Sequence, residues 1–148
     1  MRIAIGSDHA GFALKELLRR ELSEELGDDV TDFGTDSEQS IDYPDIAIPL
    51  SQAIARGEHD LGILICSNGV GPSMAANKVR GVRAALCHDV FSARRAREHT
   101  DANVLCIGAW SIGRGVASEI VRAFLEGTFQ GGRFARRIAK VNALDNER

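Results

Sequence analysis

The chain has 148 residues, 44% hydrophobic and 26% charged, which suits one ordinary domain with a real core and argues against disorder. A formal net charge of −3 offers no protein-wide cationic surface, so no nucleic-acid partner is expected. No apolar run approaches a membrane span, and Met1-Arg2-Ile3-Ala4-Ile5-Gly6 reads as a first strand rather than a signal peptide, so a cytoplasmic protein with no membrane partner is expected.

In chain order, apolar runs predict strands at Ile3–Gly6, Val30–Phe33, Gly62–Cys66, Arg83–Cys87 and Asn103–Gly108. Between the first two, Phe12, Leu14, Leu17, Leu18 and Leu22 recur near helical spacing, with Lys15, Glu16, Arg19 and Arg20 opposite and Gly27 closing the helix. A second helix follows Pro44 and closes at Gly57, and a third begins after Gly71 and Pro72. Further helices are expected around Val90–Arg97, Gly113–Gly127 and Arg133–Ala143. Alternating strands and helices with no linker or repeat predict one α/β domain over residues 1–148. It should be a three-layer α/β/α sandwich on a five-stranded parallel, Rossmann-like sheet, with ligands beyond the carboxyl ends of its strands.

That rule draws several features toward one edge. The first strand runs into Ser7-Asp8-His9, the second into Gly34-Thr35-Asp36 and later Asp42-Tyr43-Pro44, and the third into Cys66-Ser67-Asn68-Gly69-Val70-Gly71. Gly69 and Gly71 let backbone amides approach an anion at a helix start, although a tight turn without any ligand explains the same residues as well. The loop is neither a phosphate P-loop nor a dinucleotide fingerprint. A thiol beside such a helix start is a candidate base or nucleophile, so Cys66 is weighed toward function. Cys87 and Cys106 read as small buried hydrophobes. An odd set of three cysteines without a C-x-x-C pair argues against a disulfide framework or a zinc ribbon.

Other candidates carry two readings each. His9 can hold a phosphate or shuttle a proton, while Asp8 can simply cap the following helix. His99 and Thr100 stand at a polar helix end, on the opposite edge unless that end folds toward the mouth. Arg133 and Arg137 share a helix face and can clamp a phosphate, or merely decorate a surface. They belong to a cationic C-terminal stretch with Arg136, Lys140 and Arg148.

Taken together, "IGSDHAGFALK", "DYPD", "GILICSNGVGPSMAANK", "GVRAALC", "SARRAREHTDANVL" and "GGRFARR" resemble the ribose-5-phosphate isomerase B and galactose-6-phosphate isomerase family over nearly the whole chain. The resemblance implies aldose–ketose isomerisation of a small phosphorylated sugar through a cis-enediolate, with no metal and no cofactor. Ribose 5-phosphate is the default substrate, and a tetrose or hexose phosphate the alternative. It implies Cys66 as base, His99 as the group that opens the sugar ring, and the amides of Ser67, Asn68, Gly69, Val70 and Gly71 as an anion hole. Asp8, His9 and Thr100 would contact the sugar and phosphate. Arg133 and Arg137 would bind phosphate in the neighbouring subunit, the C-terminal helix packing there as an exchanged arm of a homodimer or tetramer. Two departures stand out: Ser67-Asn68 replaces a common Gly-Thr pair, and Trp110 replaces a common arginine. A non-catalytic anion-binding module and a redox-sensing thiol protein are the other classes open to the sequence.

Overall fold

The computed structural model describes residues 1–147; Arg148 of the cationic C-terminal stretch lies outside them. The strands are β1 (Arg2–Ser7), β2 (Asp29–Asp32), β3 (Leu61–Cys66), β4 (Ala84–Leu86) and β5 (Val104–Gly108). The helices are α1 (Phe12–Arg20), α2 (Pro44–Ala55), α3 (Val70–Ala76), α4 (Val90–Thr100), α5 (Arg114–Glu126) and α6 (Arg133–Asn142). All strands pair in parallel, as the alternating pattern predicted, and their order is β2-β1-β3-β5-β4. The third helix starts two residues earlier than Pro72, because Gly69 in the left-handed region (φ 77°) already turns the chain.

Period-two alternation sends neighbouring strand residues to opposite faces. Ile3, Ile5, Ile63, Ile65, Leu105 and Ile107 join α1, α4 and α5 in one core. Ala4, Leu64, Val104 and Cys106 meet α2 on the other face. Each core is dry and apolar, and together they make the three-layer sandwich. From β1 the chain moves outward to β2, whereas from β3 it moves the other way, so the carboxyl ends of β1 and β3 flank a switch point.

Lys15 departs from its expected place on the polar face of α1: it is fully buried. Its ammonium meets both carboxylate oxygens of Asp32 at 2.8 and 2.7 Å and Glu16 at 3.0 Å. A buried lysine persists only when paired in this way, and the partner comes from the end of a different strand.

A double-glycine turn, Gly131 at φ 66° and Gly132 at φ 55°, carries the chain from α5 into α6. The turn lets Phe134 bury itself and stack on His99 of α4. Thus α6 docks on its own chain through Phe134, while Arg133 and Arg137 stay exposed.

Candidate active site

The carboxyl-edge half of the site is assembled by backbone contacts between β1 and β3. The Asp8 amide donates to the Ile65 carbonyl at 3.2 Å, and Asp8 Oδ1 accepts the Gly11 amide at 3.1 Å. Asp8 therefore closes the turn that leads into α1, whose N-cap residue is Gly11. Gly11 is required for this approach, since a Cβ there would lie 2.6 Å from the Ile65 oxygen. His9 accepts the Ile41 amide on Nδ1 at 3.2 Å. With Nδ1 accepting, Nε2 is the ring nitrogen left to donate to a ligand.

Cys66 ends β3 on the α2 face of the sheet and is 4% exposed. Its sulfur accepts the Gly69 amide at 3.0 Å and lies 3.8 Å from Asn68 Oδ1, which itself accepts the Val70 amide at 3.0 Å. Gly69 sits where a Cβ would meet Leu86 at 2.5 Å and the Ile107 carbonyl carbon at 3.0 Å, so the loop threads close to β5. The Ser67 carbonyl accepts the Trp110 amide at 3.0 Å, which places the indole, 79% exposed, on the rim of this loop. With only seven residues in α3, the directed amide donors matter more here than a helix dipole.

Sequence reasoning did not assign Tyr43 to the site. Its ring lies over the glycine loop, because a Cβ at Gly71 would meet Tyr43 Cζ at 2.5 Å. The visible signal was only its place before Pro44, at the start of α2. The other two thiols are inert, as read from the sequence. Burial, with a smaller push from Asp89, raises Cys87 to about 11, and full burial raises Cys106 further still.

His99 and Thr100 close α4, so they lie at the amino edge of the sheet and not beside Cys66. Between the Gly62–Val104 rung and the Cys66–Gly108 rung run four residue steps, about 13 Å of strand. Asp101, in the left-handed region at φ 49°, ends the helix and is gripped by Arg97 at 2.8 Å and Arg83 at 3.2 Å. Against this fixed terminus His99 lies flat on Phe134, with centroids 3.9 Å apart and planes 9° from parallel. The guanidinium carbons of Arg133 and Arg137 stand 4.6 and 5.9 Å from the same ring centre. A shallow depression lined by His99, Thr100, Phe134 and Arg137 results, and Phe134 is the member that sequence reasoning missed.

The chain thus presents two clusters at opposite edges of the sheet, one with a thiol and amide donors, the other with an imidazole and two guanidiniums. Among the described residues no group of three His, Cys, Asp or Glu side chains is placed to hold a metal, and no helix is long and apolar enough to cross a membrane. A parallel α/β sheet with ligand groups at its switch point defines a small-molecule enzyme of doubly wound type.

Comparison with known proteins makes that class specific. Residues 3–141 match the family described as Ribose/Galactose Isomerase. Ribose-5-phosphate isomerase B of Escherichia coli (strain K12) is 44% identical over 147 residues, 99% of this chain and 98% of that protein. D-erythrulose-4-phosphate isomerase of Pectobacterium atrosepticum is 42% identical over 149 residues, 99% of this chain and 97% of that protein. The structure of Clostridium thermocellum ribose-5-phosphate isomerase B superposes with a TM-score of 0.96 at 44% identity, covering 99% of both chains. The chain belongs to the ribose/galactose isomerase family, and is a sugar-phosphate isomerase of that family.

Proposed function

We propose that the protein interconverts ribose 5-phosphate and ribulose 5-phosphate, in a site built from two copies of the chain. The observation that carries this reading is the split of complementary groups between opposite edges of one sheet. One sugar meets both sets only if a second copy brings its His99, Thr100, Arg133 and Arg137 to the Cys66 loop of the first. The arginines are exposed for such a contact, and exposed apolar side chains flank both halves: Val70 (42%) and Met74 (64%) near the loop, Val141 (53%) on α6 and Leu144 (55%) just after it. Apolar groups of this size suit association between copies. In this reading the C-terminal helix α6 packs on the neighbouring subunit through its outer face, in a homodimer or a tetramer.

In this site the guanidiniums of Arg133 and Arg137 hold the phosphate, with Asp8, His9 and Thr100 on the sugar. His99 moves the proton that opens the furanose ring. Cys66, as thiolate, takes the hydrogen from C2 while the C1 carbonyl oxygen gathers negative charge. The thiol then returns that hydrogen to C1 as O2 gives up its proton, O1 gains one, and C2 becomes the carbonyl. Amides of the Ser67–Gly71 loop stand where the enediolate charge develops, an arrangement worth about 3–4 kcal/mol per well-placed donor. No cofactor enters these steps, and a cytoplasmic, single-domain enzyme is the reading consistent with the chain.

Cys66→Ala is expected to abolish ketose formation from ribose 5-phosphate with circular dichroism unchanged; near wild-type turnover would overturn the role of the base. Arg137→Ala should also be nearly inactive. Equal mixing of the two variants with subunit exchange should restore about a quarter of wild-type turnover, because half the dimers are mixed and each mixed dimer holds one intact site. Proven exchange without rescue would place each site within one chain.

A tetrose phosphate is the second reading, favoured by the relative named for D-erythrulose 4-phosphate and by Asn68 and Trp110 at the rim. A kcat/KM panel over tetrose, pentose and hexose phosphates ranks the two.

A further inference from the structure

Asn68 occupies a place that a turn residue does not need. Its Oδ1 accepts the Val70 amide at 3.0 Å and stands 3.8 Å from the Cys66 sulfur, while that sulfur accepts the Gly69 amide at 3.0 Å. The Val70 N–H fixes which end of the carboxamide faces inward, since an NH2 group there would set donor against donor. The lone pairs of sulfur are thus served by Gly69, and the thiol hydrogen has the Asn68 oxygen as its acceptor. The Asn68 backbone is held from below, where a Cβ on Gly108 would come within 2.6 Å of the Asn68 Cα. Its side chain is exposed.

Resting on the reading of Cys66 as the base, we propose that Asn68 is a positioning residue that holds the resting thiol and keeps the Val70 amide occupied until substrate arrives. A sugar carbonyl oxygen that takes the Val70 N–H displaces the Asn68 oxygen. The same movement removes the acceptor of the thiol hydrogen and the negative end of a dipole beside sulfur, which favours the thiolate. Loading of the anion hole and release of the base are then one event.

The other ionisable groups around this loop are Cys106 on β5, held as a thiol by burial, Asp8 and His9 after β1, and Tyr43 over Gly71. All of them are unchanged in Asn68 variants, so a difference measurement isolates Asn68. The test is the pH dependence of iodoacetamide alkylation of the full protein, read at Cys66 by peptide mass mapping because all three thiols are buried, alongside the pH profile of kcat/KM for ribose 5-phosphate. Asn68→Ala removes the acceptor and frees a donor, so the alkylation midpoint should fall by about half a pH unit or more. Asn68→Asp sets a carboxylate beside sulfur and should raise it by about one unit or more. Midpoints within about 0.2 units of wild type for both variants, or shifts of the opposite sign, would overturn the proposal. Should the midpoints move as stated while the acid limb of kcat/KM stays put, the link between Asn68 and Cys66 holds and the assignment of Cys66 as base fails. Should Cys66→Ala be inactive while the midpoints stay put, the base stands and the positioning role falls.

Discussion

His99 lies flat against Phe134, 3.9 Å between centroids and 9° from parallel, and Phe134 is itself within 4.6 Å of the Arg133 guanidinium. One buried ring therefore sets the place of an imidazole and a guanidinium together. An aromatic pair of this kind is worth about 0.5–1.5 kcal/mol beyond its buried area. Phe134→Leu should cost up to about tenfold in kcat/KM for ribose 5-phosphate. A tetrose 4-phosphate cannot close a furanose ring, because its 4-hydroxyl carries the phosphate, so it should lose less if His99 serves ring opening. Equal losses for both sugars, measured side by side, would argue that the ring serves phosphate binding alone.

Tyr43 and Gly71 form a second such dependence. A methyl group on Gly71 would sit 2.5 Å from Cζ and 2.6 Å from Cε1 of the ring, so Gly71→Ala must push Tyr43 aside. The ring is 39% exposed and can yield, so stability should fall by less than about 1 kcal/mol while kcat/KM falls tenfold or more. In the Tyr43→Ala background the same change should cost little, a coupling that a double-mutant cycle reads directly. Additive losses would show that the clash is not the cause. Gly11→Ala is the contrasting case: its methyl would face the Ile65 carbonyl at 2.6 Å, backbone that cannot turn away, and about 2–4 kcal/mol of stability should be lost.

Acid sensitivity has an identifiable source in α1. The Glu16 carboxyl is held down to about 2, against an ordinary value of 4.5, chiefly by its hydrogen bond from Arg19 and also by Lys15, with partial burial opposing. A depressed carboxylate contributes stability that is complete above about 4.5 and is lost as pH falls toward about 2. Its share is on the order of 2 kcal/mol. Thermal melts from pH 6 to 2.5 should show Glu16→Gln less stable at neutral pH, with a shallower fall on acidification. A variant curve parallel to wild type would remove Glu16 from the account.

Lys15 and Asp32 predict an asymmetry. Lys15 is fully buried, whereas the Asp32 side chain remains 35% exposed. Removing the carboxylate in Asp32→Ala leaves the buried ammonium with Glu16 in place of two carboxylates and should cost about 3 kcal/mol. Lys15→Met fills the same space with apolar atoms and leaves Asp32 to water, so it should cost about 1 kcal/mol or less. Urea unfolding of the two variants checks the order; the reverse ranking would mean that the pair is held by packing rather than charge.

Much of this architecture was written locally. The apolar runs that became β1 to β5, the glycines that close helices and the thiol at the end of β3 each follow from residues within a few positions of one another, since strand and helix periodicities are local properties. So does the choice of Cys66 over Cys87 and Cys106, which lie inside runs rather than at a loop. Tertiary structure alone decided the rest. Lys15 looked like part of a polar face because its partner, Asp32, arrives from a neighbouring strand. Tyr43 and Phe134 gained their places from elements distant in sequence, through contacts no periodicity encodes. Above all, β5 pairs in parallel with β3, so the end of α4, which feeds β5, lies on the amino edge while Cys66 lies on the carboxyl edge. Local sequence supplies the chemical groups at both edges; the parallel direction of β3 and β5, a matter of long-range pairing, holds them apart in one chain.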